Sequence, residues 1–176
     1  MEESSLEVSI VMPCLNEEES IGYCVAQAQE ALEIWGLKGE VIVADNDSED
    51  GSVAIAESLG ARVVHQPERG YGHAYHKGIS EAKGRYVVIA DSDGTYDFRE
   101  MGNLLQGLKD GQDMVMGSRL RGEISPGAMP FLHRYFGVPI LTWILNVISG
   151  ARVSDAHCGM RAFKRDCLLY TSDAAD

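Results

Sequence analysis

Cysteine is scarce in this chain: Cys14, Cys24, Cys158 and Cys167 among 176 residues. Their spacing fits neither a disulfide framework nor a zinc site, so a reducing compartment is expected. His157-Cys158 has no companion ligands nearby in sequence and reads as a packing pair. The N-terminus lacks the basic-then-apolar pattern of a signal peptide. No segment is of low complexity and no repeat recurs. No apolar run is long enough for a bilayer span. The most apolar stretch, residues 136–149, is fourteen residues long and reads in two ways, as a buried core helix or as a helix lying in a membrane interface. Bases are also scarce in the first two thirds. Residues 1–116 carry 8 Lys+Arg against 22 Asp+Glu, which argues against nucleic acid as a partner. Residues 117–165 reverse the balance, 7 against 2, and suit phosphate groups, free or on a membrane surface.

What is present is a chain that is 45% hydrophobic, enough for one domain with a real core. Its most informative feature is Asp91-Ser92-Asp93, directly after the apolar run Tyr86-Val87-Val88-Ile89-Ala90. That run reads as a buried strand. Two carboxylates one residue apart repel each other, and at a strand end they suggest a cation between them. Mg²⁺ or Mn²⁺ suits such a pair, with the phosphates of a substrate completing the shell. Gly94 then lets the backbone turn sharply. Taken alone, Asp-x-Asp is equally a solvated acidic turn; its place after a strand favours the binding role.

The rest of the chain alternates strand and helix. Residues 8–12 read as a strand stopped by Pro13. A helix is expected from Asn16 to about Leu37, with Asn as cap and acids in the first turn. Strands follow over 40–44 and 62–65, separated by the polar turn 45–51 and a helix over 52–59. Arg69-Gly70-Tyr71-Gly72 leads into a helix ending near Ala82. After the Asp91 strand come a helix over 98–109 and a strand over 114–117. Short, apolar, non-alternating strands predict an α/β fold with a mostly parallel sheet covered on both faces. In such sheets ligands bind beyond the carboxyl ends of the strands, and three polar clusters fall there: after Met12, after Ala44 and after Ala90. Residues 119–135 read as a long functional loop.

These residues together resemble family 2 glycosyltransferases of the GT-A fold. The likeness is carried by Pro13-x-x-Asn16-Glu17, Asp45-Asn46-Asp47-Ser48-x-Asp50-Gly51, Arg69-Gly70-x-Gly72, Asp91-x-Asp93, Gly117-Ser118-Arg119 and Asp155-x-x-Cys158-Gly159-x-Arg161. It is strongest to the polyprenyl- and dolichyl-phosphate sugar transferases, the group of dolichol-phosphate mannose synthase, and covers roughly residues 6–166. The resemblance implies a nucleotide-sugar donor, of UDP-glucose or GDP-mannose type, on two strips: Pro13, Leu15 and Glu17, then Ala44, Asp45, Asn46 and Asp47. Many relatives carry Asp where this chain has Asn46, and an amide donates as well as accepts. Asp91, Ser92 and Asp93 match the metal and diphosphate site, with Asp91, Asp93 and Arg119 as the catalytic set. Arg119 and Arg134 match acceptor-phosphate contacts, since a guanidinium clamps phosphate oxygens bidentately.

The implied reaction is metal-dependent inverting transfer of a hexose to a polyprenyl phosphate. A lipid phosphate is already anionic near neutrality and needs no general base; the metal and arginines would screen the leaving diphosphate. The implied place is the cytoplasm, at the cytoplasmic face of a membrane in a longer parent protein. Residues 1–166 are expected to form the catalytic domain. Residues 167–176 depart from the family's continuation and look similar to translated adapter read-through, so a C-terminal truncation is expected. Two other functions stay open. One is transfer to a sugar hydroxyl, which needs a base, for which Asp155 is the candidate. The other is a nucleotide-binding domain without activity.

Overall fold

A computed structural model describes residues 6–118, 136–150 and 153–167 of the chain. Four strands, β1 (Val8–Cys14), β2 (Gly39–Asp45), β3 (Arg62–His65) and β4 (Tyr86–Ile89), run parallel. Two more, β5 (Met114–Met116) and β6 (Arg161–Lys164), complete a six-stranded sheet in the order β3-β2-β1-β4-β6-β5. β6 is antiparallel to both its neighbours, β4 and β5. The mostly parallel α/β sheet is the one the sequence predicts. The antiparallel insertion is new: Arg-Ala-Phe-Lys is too short a segment to declare a period of its own.

Helices α1 (Ile21–Ile34), α2 (Ser52–Ser58) and α4 (Met101–Lys109) cover one face, and α3 (Tyr71–Ser80) the other. The strand period explains the division. Val8, Ile10, Met12 and Cys14 face the first layer and pack with Ile21, Val25, Ala28, Leu105 and Leu108. Val11 faces the second, with Ile42, Tyr75, Val87 and Phe163. Both faces are buried, so the strands read as continuous apolar runs rather than alternating ones.

Two sequence expectations need correction, and one open reading is narrowed. Pro13 does not end β1; it pairs with Ala44 inside the ladder. Its carbonyl accepts the Ser92 hydroxyl on the β4 side, while the Cys14 carbonyl accepts the Asn46 N–H on the β2 side. A parallel strand points each residue's N–H and C=O to the same neighbour. The missing proline donor therefore faces β4, whose pairing with β1 stops at Val11↔Ile89, and no ladder bond is lost.

The first helix begins at Ile21 rather than Asn16. Asn16 sits at φ 57°, and the N–H groups of Asn16, Glu17 and Glu18 are taken by Ser48, Ser52 and Asp50. Tertiary hydrogen bonds replace the helical turn that the acids would favour locally.

The apolar segment after the long loop is helix α5 (Val138–Ser149), and it is not a core helix. Val138 and Thr142 are buried, whereas Ile140, Leu141, Trp143, Val147 and Ile148 are exposed. Among the described residues no helix is long and apolar enough to cross a membrane. The loop 119–135 and residues 168–176 of the tail lie outside the described residues.

Candidate active site

β2, β1 and β4 are adjacent and parallel, so their carboxyl ends open on one edge of the sheet. A cleft lies there, lined by Pro13, Cys14, Leu15, Glu17, Asn46, Tyr71, Ala74, Asp91, Ser92 and Asp93. The first strip and the acidic triplet of the sequence analysis thus meet in one place. Of the second strip, only Asn46 reaches the lining. Arg119 and Arg134 lie outside the described residues.

The two loops that border the cleft are stitched to each other. Besides the three N–H bonds of residues 16–18, Asn16 Oδ1 accepts the Glu49 N–H at 2.8 Å, and Glu18 accepts the Gly51 N–H at 2.9 Å. Ser52 donates to Asp50 and so orients the carboxylate that holds Glu18. The hydrogen bond from Ser52, with those from nearby N–H groups, holds the Asp50 carboxyl below its usual range.

The second strip supplies scaffold rather than free side chains. Ala44 is fully buried. Asp45 is buried, accepts the Ser48 N–H at 3.2 Å and meets His65 Nδ1 at 3.1 Å. Asn46 uses its whole amide: Nδ2 donates to the carbonyls of Gln66 and Glu68, both at 2.8 Å, and Oδ1 accepts the Gly70 N–H at 2.7 Å. Its donor capacity is spent on the loop before α3, not held open for a ligand. Asp47, at φ 72°, is exposed and lies 3.4 Å from Arg69, a solvated pair of little energetic weight.

The acidic triplet is built differently at each position. Ser92 is buried and donates to the Pro13 carbonyl at 2.6 Å, tying the end of β4 to β1. Asp93 is exposed, and its Oδ1 accepts the Thr95 N–H at 2.9 Å. Gly94 follows at φ 78°, the left-handed turn that residue type was expected to permit. Asp91 Oδ1 accepts two phenol hydroxyls, from Tyr71 at 2.5 Å and Tyr75 at 3.2 Å. Although the Tyr71 ring is largely exposed, partial desolvation of its hydroxyl and the bond to Asp91 push its pKa up to about 12. Burial raises Tyr75 further still, and the 3.5 Å contact between the two hydroxyls adds to it. Both hydroxyls are therefore proton donors at neutral pH.

Behind Asp91 stands Gly159, after Cys158. Its N–H donates to the Tyr96 hydroxyl at 2.7 Å, and a Cβ placed on it would come within 2.7 Å of Asp91 Oδ2. Tyr71, Tyr75 and Tyr96 were not singled out in the sequence. The i, i+4 spacing of Tyr71 and Tyr75 was visible, but nothing local linked them to an aspartate twenty and sixteen residues away.

Among the described residues no three His, Cys, Asp or Glu side chains converge as a closed metal cage. Asp91 and Asp93 still fit Mg²⁺ or Mn²⁺. They are hard oxygen donors on the cleft wall, and neither Oδ2 accepts a hydrogen bond among the described residues. Mg²⁺ is commonly held by one or two carboxylates, with substrate phosphates and water as the other ligands.

Comparison with known proteins gives the fold and the family. Agl6 of Haloferax volcanii, a low-salt glycan biosynthesis hexosyltransferase, is 49% identical over 160 residues, which is 90% of this chain and 38% of that protein. A dolichyl-phosphate hexose transferase of the same organism is 34% identical over 164 residues, 92% of this chain and 68% of that one. Mannosyl-3-phosphoglycerate synthase from Rubrobacter xylanophilus matches with a TM-score of 0.71 at 23% identity, over 92% of this chain and 54% of the other. Glucosyl-3-phosphoglycerate synthase from Mycobacterium tuberculosis, solved with Mn²⁺, UDP-glucose and glycerol 3-phosphate, matches with a TM-score of 0.69 at 24% identity, over 92% and 57%. At such identities the likeness to the solved structures is one of fold, and the fold is GT-A. The chain spans well under half the length of Agl6. The sequence model described as Glycosyl transferase family 2 matches residues 9–169, nearly the whole chain, and the chain belongs to that family.

Proposed function

We propose that this protein is a hexosyltransferase that moves a sugar from a nucleotide-sugar donor to a polyprenyl phosphate, with inversion at the sugar carbon. The observation that carries the reading is the Asp91–Asp93 pair at the wall of a cleft that also contains Pro13, Leu15 and Glu17. The donor diphosphate would lie against Asp91 and Asp93 with Mg²⁺ or Mn²⁺, and the nucleoside against residues 13–17. A divalent ion bound there would screen charge on the departing diphosphate. The protein's own part is to orient. Asp91 is held by two hydroxyls, Ser92 locks the β4 end to β1, and the stitched loops 16–18 and 46–52 keep the cleft wall in shape.

The lipid acceptor is supported by the similarity to the dolichyl-phosphate hexose transferase and by the basic balance of residues 117–165. Arg119 and Arg134 are the proposed phosphate contacts, and the cytoplasmic face of a membrane the proposed place. A phosphate nucleophile requires no base, whereas a sugar hydroxyl does. The base offered by the sequence, Asp155, is fully buried and its Oδ1 accepts the His157 N–H, which argues against that use.

The test is a donor screen: UDP- and GDP-hexoses, each with polyprenyl phosphate or with sugar acceptors, in Mn²⁺ and in chelator. Metal-dependent transfer to the lipid phosphate is expected. Transfer only to sugar hydroxyls, or transfer unaffected by chelator, would overturn the reading.

A further inference from the structure

We propose that Tyr71 and Tyr75 are positioning residues that fix the Asp91 carboxylate in one orientation for the metal and diphosphate; this rests on the donor-site reading above. The two tyrosines stand one turn apart on α3, and both hydroxyls converge on the same carboxylate oxygen, Oδ1. Their rings meet edge-on, 4.8 Å between centroids at 84°, so each ring limits the other's rotation. An exposed tyrosine normally gives its hydroxyl to water. Tyr71 is 61% exposed, yet its hydroxyl is committed to Asp91.

With two donors on Oδ1, the oxygen left for an incoming cation is Oδ2. Oδ2 in turn lies against Gly159, where even a methyl group would intrude. The carboxylate is thus held from the α3 side and walled in on the other. Tyr71 itself is delivered by Asn46, whose Oδ1 anchors the Gly70 N–H immediately before α3. A hydrogen-bonded path therefore runs from the loop after β2, through the start of α3, to the aspartate after β4. Hydrogen-bond partners of a ligating carboxylate typically change metal affinity ten- to a hundredfold when removed.

The test is Mn²⁺ binding to the full chain, followed by the Mn²⁺ electron paramagnetic resonance signal, alone and with UDP or GDP. Nucleotide affinity in chelator is measured alongside. Tyr71→Phe is expected to weaken Mn²⁺ binding in the presence of the favoured nucleotide by roughly ten- to a hundredfold. Its nucleotide affinity in chelator should fall far less than its Mn²⁺ affinity, and the retained ring should keep the loss of melting temperature small. Tyr75→Phe, which keeps the buried ring, should weaken Mn²⁺ binding in the same way. A purely structural role would lower stability and leave the split between metal-dependent and metal-free binding untouched. Wild-type Mn²⁺ affinity in both variants would overturn the positioning role while the donor site stands. Absence of Mn²⁺ binding with either nucleotide in the wild-type chain would overturn the donor-site reading and this inference with it.

Discussion

The Asn46 side-chain oxygen accepts the Gly70 N–H at 2.7 Å, and through that bond the end of β2 sets where α3 begins. The same amide donates to the Gln66 and Glu68 carbonyls, so a single buried side chain closes the loop 66–70. The closure needs one acceptor and two donors, and among side chains of this size only an amide supplies both.

Asn46→Asp should therefore be damaging although it is nearly isosteric. A carboxylate would face two carbonyl oxygens in place of the donor they now share. Leaving buried acceptors unmet costs about 1–3 kcal/mol, which urea denaturation at neutral pH will show as a lower midpoint. Lowering the pH protonates the new carboxyl and restores a donor, so the deficit should shrink under acid. A variant as stable as the wild type at pH 7 would mean that the loop closes without this side chain.

Much of this arrangement was legible in the sequence, and the illegible part has a physical cause. The strands showed because burial on both faces makes them apolar runs, and the cleft showed because parallel strands bring their polar ends to one edge. Pro13 misled because the harm of a missing N–H depends on which neighbour it faces, which is a property of the sheet. Asn16 misled because its loop is bonded to residues 48–52, more than thirty positions away. Asn46 and Asp45 read as ligand contacts, and their further part in holding the loops was hidden because polar residues at a strand end suit either role. Whether an amide is spent on a neighbouring loop is decided by tertiary structure alone.

Asp93→Ala tests the acidic pair without threatening the fold, since the side chain is exposed and, among the described residues, holds only the Thr95 N–H. Calorimetry with UDP and GDP should show the metal-dependent part of binding reduced about tenfold or more, with binding in chelator little changed. Equal affinities with and without metal in the wild type would remove Asp93 from any metal site.

On the opposite side of the sheet edge from the cleft, Glu40 provides a pH-dependent contribution to stability. Burial works to raise its pKa, but hydrogen bonds from Ser9, the Lys83 N–H and Arg62 outweigh that and hold it below the usual carboxylate range. A depressed folded-state pKa stabilises above the unfolded value, near 4.3, and the benefit fades as pH falls through the folded one. Glu40→Gln should cost about 1.5–3 kcal/mol at pH 7, the range for hydrogen bonds to a charged group. The gap between wild type and variant should be full above about pH 5 and shrink progressively as pH falls below the unfolded value, near 4.3. A gap that does not change over that range would show that packing, not charge, is what the substitution removes.

Gly159→Ala examines the wall behind Asp91. The added methyl would sit 2.7 Å from Asp91 Oδ2 and 2.8 Å from the Tyr96 hydroxyl, closer than carbon and oxygen tolerate. One of the two must move. Tyr96 is bound to the Gly159 N–H itself, and Asp91 is held by Tyr71 and Tyr75, so neither yields freely. Overpacking of this kind costs about 1–3 kcal/mol of stability. If Asp91 is the group displaced, metal-dependent nucleotide affinity should fall by about tenfold or more while binding in chelator holds. Gly72→Ala is the control: it lies in α3, and a Cβ there meets nothing within 4 Å. That change should leave binding alone and, by removing a flexible glycine from a helix, stabilise by about 0.5–1 kcal/mol. Gly159→Ala behaving like Gly72→Ala in both measurements would show that Asp91 has room to spare, and that the wall is not part of how the site is shaped.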